Sequence, residues 1–369
     1  METSRDRIRK AINHIQPDTT PVNVFGFENL QPWLDHFGAK DLSQLNEILD
    51  IDAFPDAPPI YRGPAIRPGL DIWGAAYSWT GAEGAGFSSN RGGYPLTGFS
   101  SVRQIENYAW PKADDFDYSV VHPALAAVPA DRPLWIRPLY IFPTDDADQI
   151  ESVRARRAEW LPVLCTLFNL FGMEETLINI SLEPAIIEAA LAKIEEFILD
   201  FCERTIVAAG VESEIFWFGD DFATQKGMLI SPEHWRRYLK PVYRKIFDLA
   251  KSRGMKVWFH SCGTFRPVFA DLIEIGLDVW ETAQVHLRGN EPEVLKREYG
   301  KDITFYGAIN TQTTLPHGTQ QQVRDEVRQR IRELGKGGGY ICSSDHSILP
   351  DVPFDNVLAM IDEAKKTQP

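Results

Sequence analysis

The stretch Val257-Trp258-Phe259-His260-Ser261-Cys262-Gly263 ends an apolar run with a histidine and a cysteine separated by one residue. Side chains of an extended chain alternate between its two faces, so His260 and Cys262 project to the same side. Imidazole and thiolate are the side chains zinc prefers. Taken alone, His-x-Cys is common by chance and is more often a buried thiol beside a hydrogen-bonded histidine than a metal site. A second cysteine and a second histidine follow near the C-terminus. Cys342 closes the run Gly337-Gly338-Gly339-Tyr340-Ile341-Cys342, and Ser343-Ser344-Asp345-His346 comes next. Leu277-Asp278-Val279-Trp280-Glu281 ends in a carboxylate, Glu281, which could be a fourth ligand, a partner for an imidazole, or an ordinary capping or surface residue.

A third element is Ile215-Phe216-Trp217-Phe218-Gly219-Asp220-Asp221, an aromatic run ending in two carboxylates. Adjacent like charges raise one pKa, so Asp220 and Asp221 suit acid–base work or substrate binding, although at least one of them is expected to cap a turn. Arg137, on an apolar segment, could hold an anionic group or form a structural ion pair. Cys165 and Cys202 lie in apolar, helix-like sequence and are expected to be structural.

These groups need elements that bring strand ends together. From about residue 130 onward, short apolar runs alternate with longer amphipathic segments, which is the pattern of repeated βα units. Strands are expected at Leu134 to Tyr140, Glu214 to Gly219, Met255 to His260, Leu277 to Glu281, Ile303 to Tyr306 and Gly339 to Ser343. After Ser181, Pro184 suits a first helical turn, and Ile187, Leu191, Ile194, Ile198 and Phe201 recur at helical spacing. Pro232, Pro267, Pro292 and Pro353 mark the starts of later helices. The expected fold is α/β, a single (β/α)8 TIM barrel over residues 1–369, with an open doubly wound sheet as the alternative. Residues 51–117, rich in Gly, Pro and aromatics, read as an elaboration packed over one end of the barrel, with a flexible loop around Gly81, Gly84 and Gly86.

The 369 residues are 44% hydrophobic, enough for a large core without disulfides. The net charge of -14 and the lack of a basic patch argue against nucleic acid or an anionic membrane as partner. With no apolar leader, no membrane-spanning run and four scattered cysteines, the chain reads as cytoplasmic with reduced thiols.

The His-Ser-Cys-Gly stretch, the Gly-Gly-Tyr-Ile-Cys run and the segment His346 to Val357 together resemble the uroporphyrinogen decarboxylase superfamily. So do Pro17-Asp18 with Pro21-Val22, Asp71-Ile72-Trp73-Gly74, Tyr108-Ala109-Trp110-Pro111, Asp220-Asp221 and Tyr306-Gly307-Ala308-Ile309-Asn310, the last with Asn310 where the family carries Asp. The resemblance implies a (β/α)8 barrel whose mouth takes a tetrapyrrole or corrinoid-linked substrate. True decarboxylases carry an arginine-rich N-terminal segment that clamps substrate carboxylates; here Phe25-Gly26-Phe27-Glu28-Asn29 stands in that region without an arginine. The zinc-dependent corrinoid methyltransferases carry His-x-Cys and a distant third ligand, usually Cys. On the closing Ile-x-Pro-x-x-Pro frame that ligand falls on His346, with Cys342 in reserve.

The resemblance thus implies zinc-dependent transfer of a methyl group between a corrinoid (methylcobamide), carried by a separate protein, and a small acceptor. His260, Cys262 and His346 or Cys342 would hold zinc, and Glu281 would complete or tune the site. Asp220 and Asp221 would orient substrate or move protons, and Arg137, Trp217, Asn310 and Asp345 would line the substrate site. The rival enzyme is a decarboxylase or lyase on the same barrel with an aspartate as acid–base; a barrel that only binds a tetrapyrrole or corrinoid is the third reading. Oligomeric state is not legible.

Overall fold

The computed structural model describes residues 2–368 except 68, 77, 81–86, 90–92, 142–158, 211 and 212. The loop expected around Gly81, Gly84 and Gly86 therefore lies outside the described residues. Six parallel strands form one sheet in sequential order: β1 (Trp135–Ile136), β2 (Ile215–Gly219), β3 (Lys256–His260), β4 (Leu277–Ala283), β5 (Thr304–Ile309) and β6 (Tyr340–Ser344). All six fall within or overlap the stretches expected from sequence. The first is shorter because Pro138 has no N–H to give a ladder; beyond it, Leu139–Tyr140 pairs antiparallel with Glu159–Trp160 instead.

Two irregular extended segments continue the curl. Val22 bridges Cys342 in parallel, with Asn23 N donating to Cys342 O and Cys342 N to Pro21 O, both at 2.9 Å. Asp52 N then donates to Val22 O at 2.7 Å, and Phe54 stacks on Trp135 with ring centres 4.5 Å apart, next to β1. Six strands and two segments make the eight staves of a TIM-barrel-like fold.

Two apolar clusters follow from the alternation along each strand. Inside the barrel, Trp135, Ile215, Trp217, Trp258, Val279, Tyr306 and Ile341 pack with Ile8, Ala11 and Ile12 of α1 (Ser4–Ile12). On the outer face, Phe216, Phe218, Val257, Phe259, Trp280, Phe305, Tyr340 and Cys342 pack against the helices. The long helix α3 (Pro184–Ala209), preceded by α2 (Leu164–Phe171), buries Ile187, Leu191, Ile194, Ile198 and Phe201 as its spacing predicts. Each such side chain contributes about 1.5–3 kcal/mol by leaving water. Within residues 51–117, Trp73 and Phe116 pack on Phe197 and Phe201 of α3.

Outer helices that follow the later strands are α4 (Lys240–Lys251), α5 (Arg266–Glu274), α6 (Pro292–Tyr299), α7 (Gln320–Leu334) and α8 (Phe354–Lys366). Pro267 and Pro292 stand in the first turns of α5 and α6, and Pro353 precedes α8. Among the described residues, no helix is long and apolar enough to cross a membrane.

Candidate active site

The parallel register sets His260, the last residue of β3, between Gly219 of β2 and Glu281 of β4. A side chain at Gly219 would collide there: a Cβ would lie 2.8 Å from Trp160, 2.9 Å from Trp217 and 3.0 Å from His260 Cβ. Only glycine lets these rings close over the strand ends.

His260 is held from one side. Its Nδ1 lies 3.2 Å from Glu281 Oε1, and because a carboxylate only accepts, Nδ1 carries the proton. Nε2 is left with its lone pair, 3.6 Å from Asp221 Oδ1. Glu281 is buried and also accepts from the indole N–H groups of Trp217 (3.1 Å) and Trp258. With three N–H groups on its two oxygens, Glu281 is committed to orienting the imidazole.

Cys262 follows immediately. Its amide donates to Asp221 Oδ1 at 3.1 Å, and the chain turns at Gly263 with φ +89°, where a Cβ would lie 2.5 Å from Thr224 O. Burial, then the nearby Asp221 carboxylate, pushes the Cys262 thiol well above its usual range, so with no cation present it is protonated. His346, beyond β6, faces the same mouth. The Phe25 ring lies 5.4 Å from the ring of His260 and 5.3 Å from that of His346, and the two imidazoles are 6.4 Å apart. Phe25 belongs to the arm expected to lack clamping arginines, and that arm runs alongside the residues after His346: Ile348 N donates to Gly26 O at 2.7 Å and Glu28 N to Ile348 O at 3.0 Å. Among the described residues, no three His, Cys, Asp or Glu side chains converge as a metal-holding group.

Other expected site residues are engaged elsewhere. Asp220 is not poised for acid–base chemistry. It is fully buried and accepts from the backbone N–H of Val163 (3.1 Å), Leu164 (2.6 Å) and Cys165 (3.2 Å) and from the Tyr243 hydroxyl (2.7 Å), which fastens the start of α2 to the barrel. Burial pushes its carboxyl up to about 6 against the pull of those hydrogen bonds. Asp221, by contrast, keeps partial exposure at the mouth. Cys342 points away from the mouth into the outer cluster, its thiol pushed up to about 12 by burial. Arg137 pairs with Asp56 at 3.0 Å and stacks on Trp135 and Trp217, 4.7 and 4.3 Å from the ring centres. Asn310 spends its side-chain oxygen on the amides of Gln312 (2.7 Å) and Thr313 (3.1 Å), an Asx-type turn.

Three residues near the mouth were not among the expected site residues. Phe25 had no polar group to attract notice. Cys165 sits at the edge of the site rather than deep in a helix packing face, its thiol 3.6 Å from Asp221 O; Cys202 is buried in α3 as expected. His286, five residues past Glu281, faces the fully buried Asp345, with Nδ1 2.9 Å from Asp345 Oδ2.

The chain and its barrel have known counterparts. The uroporphyrinogen decarboxylase (URO-D) family matches residues 166–367, more than half of the chain, and the chain belongs to that family. It is similar to a uroporphyrinogen decarboxylase of Thermus thermophilus, 28% identical over 134 residues, 36% of this chain and 37% of the relative. It is also similar to a methylated-thiol–coenzyme M methyltransferase of Methanosarcina mazei, 22% identical over 225 residues, 59% of this chain and 57% of the relative. The chain thus spans about half the length, or less, of these curated relatives. A solved methyltransferase from Methanosarcina mazei superposes over 99% of both chains with a TM-score of 0.69; at 17% identity this likeness concerns the fold.

Proposed function

We propose that this protein is a cytoplasmic, zinc-dependent methyltransferase that moves a methyl group between a corrinoid, carried by a separate protein, and a small acceptor such as a thiol. The observation that carries the reading is the pair His260–Cys262 at the barrel mouth, with Glu281 fixing the tautomer that leaves His260 Nε2 as a donor. The donor types fit zinc, and Zn–N bonds of about 2.1 Å set two imidazole centres on one ion roughly 5–6 Å apart, near the 6.4 Å between His260 and His346. His260, Cys262 and His346 would hold the metal, which when bound supplies a Lewis acid that lowers the acceptor's pKa. Asp221 stands beside both His260 and Cys262 to orient the acceptor. Phe25 packs against His260, and Arg137 stacks on Trp217 beside it.

The test is zinc quantification on protein purified without added metal, followed by methyl transfer from methylcobalamin to thiols or pterins. About one zinc per chain with turnover supports the reading; a metal-free protein that evolves CO2 from a carboxylated substrate favours the lyase, for which Asp221 is the available acid–base.

Glu281→Gln gives a sharper readout. The amide would turn an N–H toward one of three donors that now share a carboxylate, so zinc affinity in chelator competition should fall about 10–100-fold with the barrel folded. Unchanged affinity would mean that the carboxylate does not orient the ligand.

A further inference from the structure

The mouth holds a second titratable pair that the reading above leaves unused. Asp345 leaves the end of β6 fully buried. Its Oδ1 accepts from the Thr311 amide (3.0 Å) and hydroxyl (2.6 Å), and its own amide donates to Ile309 O at 2.8 Å, so its side chain is fixed. Oδ2 lies 2.9 Å from Nδ1 of His286, in the loop after β4. That contact is close but out of line, and Asp345 Oδ2 and both ring nitrogens of His286 are buried without a well-formed hydrogen bond to any described residue. A buried polar atom left unpaired forfeits the hydrogen bonds it would make in water. Native proteins rarely leave such atoms unmet; a small turn of the ring pairs Nδ1 with Oδ2 across their 2.9 Å, which leaves Nε2 as the atom whose missing bond a ligand would supply.

We propose that His286, oriented by Asp345, is an acid–base residue of the barrel mouth that takes a proton from the bound acceptor. This rests on the reading of the mouth as the site of methyl transfer to a thiol. With Nδ1–H turned to the carboxylate, Nε2 keeps its lone pair for the substrate. The acceptor's S–H bond breaks, the electron pair stays on sulfur and the proton joins Nε2. The resulting imidazolium is balanced by Asp345 and returns its proton to water.

Two measurements test this. In methyl transfer from methylcobalamin to 2-mercaptoethanol, His286→Ala and the milder His286→Gln should each lower kcat about 10²-fold, the usual worth of a positioned base. KM and zinc content should stay near the wild-type values, and added imidazole should restore part of the His286→Ala rate. Independently of turnover, nitrogen NMR of 15N-histidine protein should show His286 protonated at Nδ1 and bare at Nε2. Adding 2-mercaptoethanol should shift Nε2, and Asp345→Asn should abolish the tautomer preference. A wild type without methyl transfer would sink the proposed function, and the spectrum would then decide the pair by itself. The proposal is overturned if Nε2 carries the proton, if its signal ignores the thiol, or if His286→Ala retains kcat within about twofold.

Discussion

Asp220→Ala should destabilise the protein by about 3–5 kcal/mol in urea unfolding, because it strands several buried donors at once. Three backbone N–H groups at the start of α2 and the Tyr243 hydroxyl would lose their common acceptor. The same carboxylate makes stability pH-dependent. Its folded pKa is raised, to about 6 from the ordinary 3.8, so between these values the folded state holds a proton that the unfolded chain has released. Asp220 thus contributes most below pH 4, and that contribution is lost as pH rises through 6, on the order of 3 kcal/mol at 1.36 kcal/mol per pKa unit. In Asp220→Asn this part of the pH profile should be flat. A Asp220→Ala variant that keeps its stability and loses turnover would return Asp220 to the chemistry and overturn its structural assignment.

That residue also shows what the sequence could and could not reveal. Asp220 and Asp221 are identical in type and adjacent, and the register that buries one and leaves the other at the mouth depends on β3 and α2, far away in sequence. The barrel strands were legible because buried parallel strands are runs of apolar residues bounded by polar turns. The same composition hid facing: in Tyr340-Ile341-Cys342 both faces are apolar, so nothing local shows that Ile341 enters the barrel while Cys342 enters the outer shell. The first two staves were invisible because Val22 and Asp52 join by isolated bonds rather than ladders. Residues His260, Cys262 and Glu281 could be read as candidates from their places at strand ends. His286 could not, because its partner Asp345 is 59 positions away and nothing at Gln284-Val285-His286 announces a strand end.

Cys262→Ala should remove stoichiometric zinc, with affinity lowered by at least about 10²-fold, while circular dichroism and the unfolding midpoint stay close to wild type. The barrel's stability resides in its two apolar clusters, and Cys262 lies past the end of β3, outside both. The third ligand is then separated by a pair of variants whose effects run in opposite directions. His346→Ala should weaken zinc and leave the fold intact, since His346 is only half-buried and faces His260 across 6.4 Å. Cys342→Ala should leave zinc unchanged and cost about 1 kcal/mol of stability, since it removes one small side chain from a packed outer core. Zinc lost from Cys342→Ala but kept by His346→Ala would show that β6 turns its other face to the metal and that His346 serves the substrate alone. Zinc kept by Cys262→Ala would remove the support for methyl transfer, and the carboxylate of Asp221, beside His260 at 3.6 Å, would then be the group around which a metal-independent lyase is built.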